Sequence, residues 1–226
     1  MNGISDLQLN YLAEIYHVSH LEKYSENETV TSSDLAIHIG ATQSSVNRMM
    51  ERLKKSSLIR HEPYVGLYLT EKGKAIAIHI LRKQAIIETF LFSVMNIVWH
   101  RVYEEAKLIR HNVNDTVLER MYQLSGQPKR SPYGAWIDST QLNQHHEERL
   151  SNAEIKQDYA ITSVSTRQPD RLEYIEAIGL TPDTSIKLLH KAPFNGPLQI
   201  QLGYEYRILG YELAEMLTVT SIEESS

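Results

Sequence analysis

The chain has 226 residues, of which 42% are hydrophobic and 23% charged, a composition typical of a folded globular protein. It contains no cysteine, which excludes disulfide bonds and thiolate metal sites. No run of about 18 apolar residues is present, and the first ten residues lack the basic and apolar segments of a signal peptide. We therefore expect a cytoplasmic protein with no membrane partner, built from two modest domains or from one domain with an appended module.

The first part of the chain predicts a helix followed by a loop. Apolar residues recur at helical intervals between residues 4 and 18, so this segment is expected to be an amphipathic helix that packs against the next module. Residues 22–29 are polar and predict the loop that leads into that module.

Residues 31–74 predict a winged helix-turn-helix. Thr31 or Ser32 is suited to cap a short helix, and Gly40 is suited to end it because glycine takes a left-handed conformation without steric cost. Thr42 then caps a second helix. Its apolar positions recur at helical spacing: Val46, Met49, Met50 and Leu53. Two short helices joined by a tight turn are typical of DNA-binding modules.

A hairpin predicted at 59–69, with its turn near residues 64–66, adds the wing. Charge favours contact with DNA, because residues 31–83 carry nine Lys and Arg against four Asp and Glu, whereas the whole chain has a net charge of -5. A basic segment on an acidic chain is the electrostatic pattern of a DNA-contacting module. An ordinary helical subdomain with solvated charges is the alternative interpretation.

Eight residues are predicted to contact duplex DNA. Hydroxyl and backbone N–H groups at a helix N-terminus attract phosphates, whereas Asn47 and Arg48 are better placed to reach adenine and guanine edges. Tyr64 and Tyr68 on the wing are suited either to phosphate contacts or to ordinary strand packing. The predicted set is Thr42, Gln43, Ser44, Ser45, Asn47, Arg48, Arg52 and Tyr64.

The middle of the chain predicts a helical domain. A long helix is expected to start at residue 70 and continue through residue 91, and its apolar later part indicates burial against partners, as at a dimer interface. Further helices are predicted near 97–111 and at 115–124, and residues 131–134 predict a fixed turn. The polar stretch 138–152 is the predicted linker.

From residue 154 the apolar pattern changes from helical to alternating. A short helix is predicted at 170–178. The predicted strands are 155–165, 185–190, 198–202 and 204–209. Several short strands in about 70 residues favour a small β-barrel.

These segments together resemble the diphtheria-toxin-repressor family of metal-dependent transcriptional regulators, which includes the manganese-transport regulators. The resemblance in the DNA-binding part is carried by NYLAEIYHV, ATQSSVNRMMERLKKSSLI and GLYLTEKGKAIA, and in the helical part by LRKQAIIETFL, VYEEAKLIRHNV and RSPYG. The last part, IEAIGLTPDTSIKLLHKAPFNGPLQIQL, resembles the Src-homology-like barrel shared with ferrous-iron-transport accessory proteins.

The resemblance implies an α+β fold with three domains and a homodimeric DNA-binding repressor of iron or manganese homeostasis. The implied parts are a winged helix-turn-helix domain at 1–75, a helical dimerisation and metal-sensing domain at 76–137, the linker at 138–152 and a small β-barrel at 153–226. The alternative function is a dimeric scaffold or sensor that acts through the C-terminal barrel without binding DNA. No residue pattern of a catalytic triad, phosphate loop or zinc protease is found, so no enzyme activity is expected.

The metal ligands of the family are mostly substituted in this chain. Family members bind ferrous or manganous ion with side chains of the first helix and of the two helices after the wing. The matching positions here are Asn10, Gln84, Glu88, Tyr103, Lys107, Arg110 and His111. Only Glu88 and His111 keep a family ligand and remain metal candidates. The barrel stretch that supplies two further ligands in the family corresponds to 168–171.

Lys107 and Arg110 offer hydrogen-bond donors and positive charge instead of the lone pairs that a divalent cation needs. At about 4 Å and an effective dielectric of about 20, a fixed positive charge repels a divalent cation by about 8 kcal/mol. We therefore predict lost or altered metal dependence. The resemblance alone implies divalent manganese or iron as the cofactor, and most of the ligands for such an ion are absent.

Three interpretations of the substituted positions remain open. In the first, Lys107 or Arg110 stands in for the metal by pairing with an acidic side chain of the set Glu14, Glu88, Glu104 and Glu105. In the second, an anion binds to Lys107, Arg110 and His111. In the third, the substitutions only affect packing or the surface.

Overall fold

The computed structural model describes residues 4–21, 29–62, 66–138 and 147–222, and the chain divides into two compact units, Met1–Lys83 and Gln84–Ser226. The elements of the first unit are α1 (Asp6–Leu21), α2 (Ser32–Ile39), α3 (Gln43–Lys55), β1 (Ile59–Glu62), β2 (Gly66–Leu69) and the first half of α4 (Glu71–Ser93). No helix of the described residues is long and apolar enough to cross a membrane.

Helix α2 begins and ends at the predicted caps, and helix α3 begins at its predicted cap. The Thr31 hydroxyl accepts a hydrogen bond from the Asp34 backbone N–H at 3.1 Å, and Gly40 ends α2 with a φ of 68°. The Thr42 hydroxyl accepts a hydrogen bond from the Ser45 backbone N–H at 3.3 Å. These caps satisfy N–H groups that have no partner within a helix, so the sequence fixes where α2 and α3 start.

The wing is an antiparallel hairpin in which Ile59 lies opposite Leu69 and Glu62 lies opposite Gly66. Val30 bridges to Leu67 and anchors the hairpin next to α2. The apolar faces of the helices and hairpin form one core, whose fully buried members include Leu12, Leu35, Val46, Leu53, Leu58 and Ala77. The predicted winged helix-turn-helix is therefore confirmed.

The second unit begins with the end of α4 and a 3-10 turn at Trp99–Arg101. Its remaining elements are α5 (Val102–Ile109), α6 (Asp115–Leu124), β3 (Glu148–Arg149), β4 (Gln157–Val164), α7 (Pro169–Ala177), β5 (Ser185–Lys191), β6 (Leu198–Leu202), β7 (Glu205–Leu209), α8 (Tyr211–Glu215) and β8 (Leu217–Ser221). The helix predicted near 97–111 is thus shorter and starts with the 3-10 turn, whereas α6 has the predicted bounds.

The strands form one antiparallel sheet in the order β3-β8-β4-β5-β6-β7. Strand β3 lies inside the range predicted as linker, because Glu148 pairs with Val219 of β8. The sheet therefore starts before residue 153, and residues 139–146 of that range lie outside the described residues. Strand β8 was not predicted, although it lies inside the sheet and pairs with both β3 and β4.

The turn at 131–134 joins the helical part of the second unit to the sheet. The Tyr133 side chain is fully buried, and its hydroxyl donates to the Trp99 carbonyl at 2.7 Å and accepts from the Tyr103 N–H at 3.0 Å. The Tyr133 carbonyl in turn accepts from the Val164 N–H of β4 at 2.9 Å. Trp99, Tyr133 and Val164 belong to one hydrophobic core that includes helices and strands.

Candidate nucleic-acid interface and buried polar cluster

Helix α3 has a buried face and an exposed face, and the predicted DNA contacts lie on the exposed one. The buried face consists of Val46, Met49, Met50 and Leu53. The exposed residues are Thr42, Gln43, Ser44, Ser45, Asn47, Arg48 and Arg52. Tyr64, the eighth predicted contact, lies outside the described residues.

The N-terminus of α3 is held to α2 by polar contacts. The Gln43 side-chain amide donates to the Ser32 hydroxyl at 2.7 Å, and the Thr42 and Ser44 hydroxyls lie 3.3 Å apart. Asn47 and Arg48 lie about one turn further along the same exposed face. The arrangement combines a helix N-terminus, which favours anions, with side chains suited to base edges.

The charge around this face is mainly positive. Exposed cations follow along α3 and onto β1: Arg48, Arg52, Lys54, Lys55 and Arg60. Glu51 and Glu62 are exposed acidic residues of the same region. The Tyr68 hydroxyl donates to Glu62, and this hydrogen bond raises the pKa of Tyr68. The contact favours the strand-packing interpretation of Tyr68 over a phosphate contact.

A buried polar cluster lies in the second unit, at positions where the family resemblance implies metal ligands. Gln84 and Glu88 are buried one turn apart on α4, and Arg110, which follows α5, is only 2% exposed. The Arg110 guanidinium donates to the Gln84 side-chain oxygen at 3.2 Å. The Gln84 amide nitrogen donates to the Glu88 carboxylate at 2.9 Å and to the Tyr103 carbonyl at 3.2 Å. Gln84 therefore bridges a buried cation and a buried acid.

A second guanidinium reaches this cluster from the sheet. The Arg167 Cζ atom lies 4.7 Å from the centre of the Tyr133 ring and 5.7 Å from that of Tyr103. Burial raises the pKa of the Glu88 carboxyl, and the nearby positive charge of Arg167 is the strongest effect that opposes this rise. Hydrogen bonds from Gln84 and Ser131 and the charge of Arg110 oppose it further.

Arg167 was not among the predicted site residues. It directly precedes the 168–171 stretch, which corresponds to ligands of the family. Neither periodicity nor a motif distinguishes it from other surface arginines, since its role depends on contacts with Tyr103 and Tyr133, far away in sequence. The only signal in the sequence was the adjacent stretch 168–171, where the family resemblance implies metal ligands.

The other substituted positions are less central. The Lys107 Nζ lies 5.7 Å from the centre of the Tyr103 ring, and the His111 Nε2 accepts from the Arg110 Nε at 3.4 Å. Asn10 lies on α1 of the first unit. Among the acids considered as partners, Glu105 lies 3.6 Å from Arg101 and Glu104 is exposed. The buried cation of the cluster is thus Arg110, with Lys107 only partly buried.

The residues present do not fit a ferrous or manganous ion. Across the described ranges, no group of three or more His, Asp or Glu side chains is arranged to hold a metal ion. Glu88 already accepts the Gln84 amide, and the Arg110 side chain contacts both Gln84 and His111. A guanidinium has no lone pair to offer and stays protonated, so it competes with a metal for Glu88 without contributing a ligand.

An apolar depression lies between α4 and α6 in the second unit. It has a volume of about 400 Å³ and is lined by Phe90, Thr116, Val117, Arg120, Met121 and Leu124. Large apolar side chains of the same unit are partly exposed: Phe92, Val94, Met95, Val98, Leu108, Val117 and Leu124. So much exposed apolar surface on one helical region is typical of a protein interface.

Two family models match the chain. Residues 70–138 match the iron dependent repressor, metal binding and dimerisation domain, and residues 148–221 match the FeoA domain. A 134-residue match to the iron-dependent repressor IdeR of Mycobacterium tuberculosis is 29% identical, and it covers 59% of this chain and 56%, about half, of that relative. An HTH-type transcriptional regulator of Methanocaldococcus jannaschii is 32% identical over 112 residues, which are 50% of this chain and 86% of that protein.

Solved structures share the whole fold. A manganese-dependent transcriptional repressor in complex with manganese has a TM-score of 0.84 and a sequence identity of 24%, and the match covers 95% of this chain and all of the other. At this identity the likeness establishes the architecture of a winged helix-turn-helix, a helical region and an Src-homology-3-like sheet. The chemistry of the buried cluster has to be inferred from the residues of this chain.

Proposed function

Because the chain belongs to the diphtheria-toxin-repressor family of transcriptional regulators, we propose that it is a homodimeric DNA-binding regulator whose operator binding is independent of metal ions. The observation that carries the metal independence is the buried guanidinium of Arg110, which donates to Gln84 where the family resemblance implies a metal site. Genes of iron or manganese homeostasis are its proposed targets, as the names of its relatives suggest.

Helix α3 would read the operator. Thr42, Ser44 and Ser45 at its N-terminus would contact phosphates, and Asn47 and Arg48 would contact base edges in the major groove. Exposure of all five side chains supports these roles. In a dimer, two such helices would enter successive major grooves about 34 Å apart on a near-palindromic operator.

The apolar depression between α4 and α6 would form the dimer interface. Its lining residues Met121 and Leu124, together with exposed Phe92 and Met95, present apolar surface that a second copy would cover. The overlap of this surface with the matched dimerisation domain at 70–138 supports the assignment.

Arg110 would take over the charge that a bound metal supplies in the relatives. It is buried beside Gln84 and Glu88, so α4 and α5 are connected through a cation that is part of the chain. This favours the interpretation in which a cation stands in for the metal over the interpretations with a bound anion or with packing changes only.

The test is operator binding under controlled metal content. Genomic fragments bound by the purified dimer are selected in the presence of a chelator, and their affinity is then measured with chelator, with manganous ion and with ferrous ion under anaerobic conditions. We expect equal affinity in all three conditions. A steep fall of the binding constant between about 50 mM and 200 mM salt is expected as well, because phosphate neutralisation releases counterions.

Activation by micromolar metal would refute the metal-independent assignment, and it would leave the DNA-binding assignment intact. Absence of DNA binding at low salt, with or without metal, would instead favour the scaffold alternative. Arg110→Met provides the direct variant, since it keeps a long apolar side chain and removes the charge. It should weaken operator binding without metal, whereas the same change at exposed Arg101 should have little effect.

A further inference from the structure

We propose that Arg167 is a positioning residue for operator binding: from the end of β4 it clamps the sheet domain onto the helices that carry Glu88 and Tyr103. The clamp rests on the proposed function, because it assigns to the sheet domain the control of the same DNA-competent state. The domain would thus act as a built-in effector of the regulator.

The position of the Arg167 guanidinium is fixed by its own domain. Its Nη1 atom donates to the Val164 carbonyl at 2.6 Å and to the Thr166 carbonyl at 2.7 Å. Val164 is the last residue of β4 and Thr166 follows two residues later, so the guanidinium moves with the sheet and not with the helices. A side chain held in this way transmits the position of one domain to another.

The two aromatic rings that the Arg167 guanidinium contacts belong mainly to the helical part. The Tyr103 ring is on α5, and the Tyr133 ring is held by hydrogen bonds to Trp99 and Tyr103. A guanidinium over the face of an aromatic ring is attracted by the ring quadrupole. Arg167 therefore bridges α5 and the 131–134 turn.

Glu88 connects this contact to the DNA-binding end of the chain. It is buried on α4, the helix that begins at Glu71 directly after the wing. The Gln84 amide nitrogen donates both to the Glu88 carboxylate and to the carbonyl of Tyr103, whose ring the Arg167 guanidinium faces, so the contact is joined to α4 by hydrogen bonds. Withdrawal of Arg167 would loosen Tyr103 and, through Gln84, the packing of α4 around Glu88.

A second contact between the sheet domain and the helical part lies on the neighbouring helix α7. Glu176 of α7 lies 2.7 Å from the His100 Nδ1 atom in the 3-10 turn. Together with the Tyr133–Val164 hydrogen bond, this contact keeps the sheet domain in place when Arg167 is replaced. An Arg167 variant should therefore fold, and its effect should appear in function.

The experiment compares Arg167→Gln with the matched control Arg171→Gln, which changes an exposed arginine of the same region. Operator affinity is measured in the presence of chelator, and amide hydrogen exchange of residues 99–109 is measured without DNA. We expect Arg167→Gln to weaken operator binding roughly tenfold, within the usual range of coupling between sites. The control should bind as the wild type does, and Arg167→Lys should recover only part of the loss because it keeps the charge without the planar group.

Three readouts separate positioning from DNA contact and from general damage. The salt dependence of binding should be unchanged in Arg167→Gln, since no phosphate contact is lost. Glu88→Gln should weaken operator binding too, and the double variant should bind no worse than the weaker single variant, since both changes break one clamp. Exchange of residues 99–109 should rise in Arg167→Gln and stay at the wild-type level in Arg171→Gln.

Unchanged operator affinity of Arg167→Gln, or strictly additive losses in the double variant, would overturn the proposal. If the wild-type protein itself binds no DNA, the proposed function fails separately. In that case amide hydrogen exchange of residues 99–109 still tests the clamp by itself. A rise of exchange that is specific to Arg167→Gln supports the clamp, and equal exchange in both variants overturns it.

Discussion

Replacing Gly134 by alanine tests whether the 131–134 turn holds the helical part of the second unit to the sheet. Gly134 has a φ of +83°, and a β-carbon there would lie 1.9 Å from the Thr162 carbonyl oxygen and 2.5 Å from the Ser163 Cα atom. The left-handed conformation costs an alanine about 1 kcal/mol. The overlap with two backbone atoms forces a shift worth about 1–3 kcal/mol, and loss of the Tyr133–Val164 hydrogen bond adds about 1 kcal/mol. We expect a total loss of about 3–5 kcal/mol in the free energy of unfolding.

The assay is urea unfolding followed by tryptophan fluorescence. The chain has two tryptophans, Trp99 and Trp136, and both lie in the second unit, so the signal reports the unit that the substitution affects. Gly126→Ala is the matched control, because Gly126 has a φ of +79° and no atom within 4 Å of the added carbon. It should cost only about 1 kcal/mol. If Gly134→Ala costs no more than Gly126→Ala, the close approach of the turn to β4 does not stabilise the unit and the reasoning is wrong.

Three further predictions concern DNA reading, pH and assembly. Arg48→Gln should reduce operator affinity by about 1–3 kcal/mol and relax the base preference at one position, as measured by binding to a set of single-base operator variants. Burial raises the pKa of Glu88 above its ordinary 4.5, so its stabilising contribution is present below pH 4.5 and lost as the pH rises through the folded-state pKa. The stability of Glu88→Gln relative to the wild type should therefore rise as the pH rises above 4.5, as measured by urea unfolding over a pH series; a pH-independent difference would contradict this. Met121→Asp should convert the dimer to monomer in sedimentation equilibrium, because burying an unpaired carboxylate costs several kcal/mol, whereas Glu119→Gln on exposed surface should not.

Elements that depend on neighbouring residues were predictable from the sequence. Thr31, Gly40 and Thr42 cap α2 and α3 as predicted, because a cap is set by one side chain and the N–H groups two or three residues away. Helix α6 has the predicted bounds for the same reason, since the Asn114 side chain accepts from the Val117 N–H at 2.9 Å. The exposed face of α3 also followed directly from its apolar spacing.

Features that depend on distant residues were not predictable. Strand β3 has two residues and pairs with β8, some 70 positions later, so neither length nor periodicity indicates it. The cluster around Glu88 shows the same limit: the substitution to Arg110 was visible in the sequence, and its burial and its bond to Gln84 were not. The role of Arg167 could not be predicted, because its partners Tyr103 and Tyr133 become its neighbours only in the folded chain.

The buried guanidinium of Arg110 has a consequence for how the protein responds to its surroundings. A dissociable ligand stabilises a conformation by an amount that grows with its concentration, whereas a side chain is present at one fixed local concentration. Arginine also stays protonated across the physiological pH range, so its charge cannot be titrated away. If Arg110 stands in for the metal, as proposed above, the regulator would have no dose–response curve for the group that activates it, and its output would follow its own copy number and turnover in the cell.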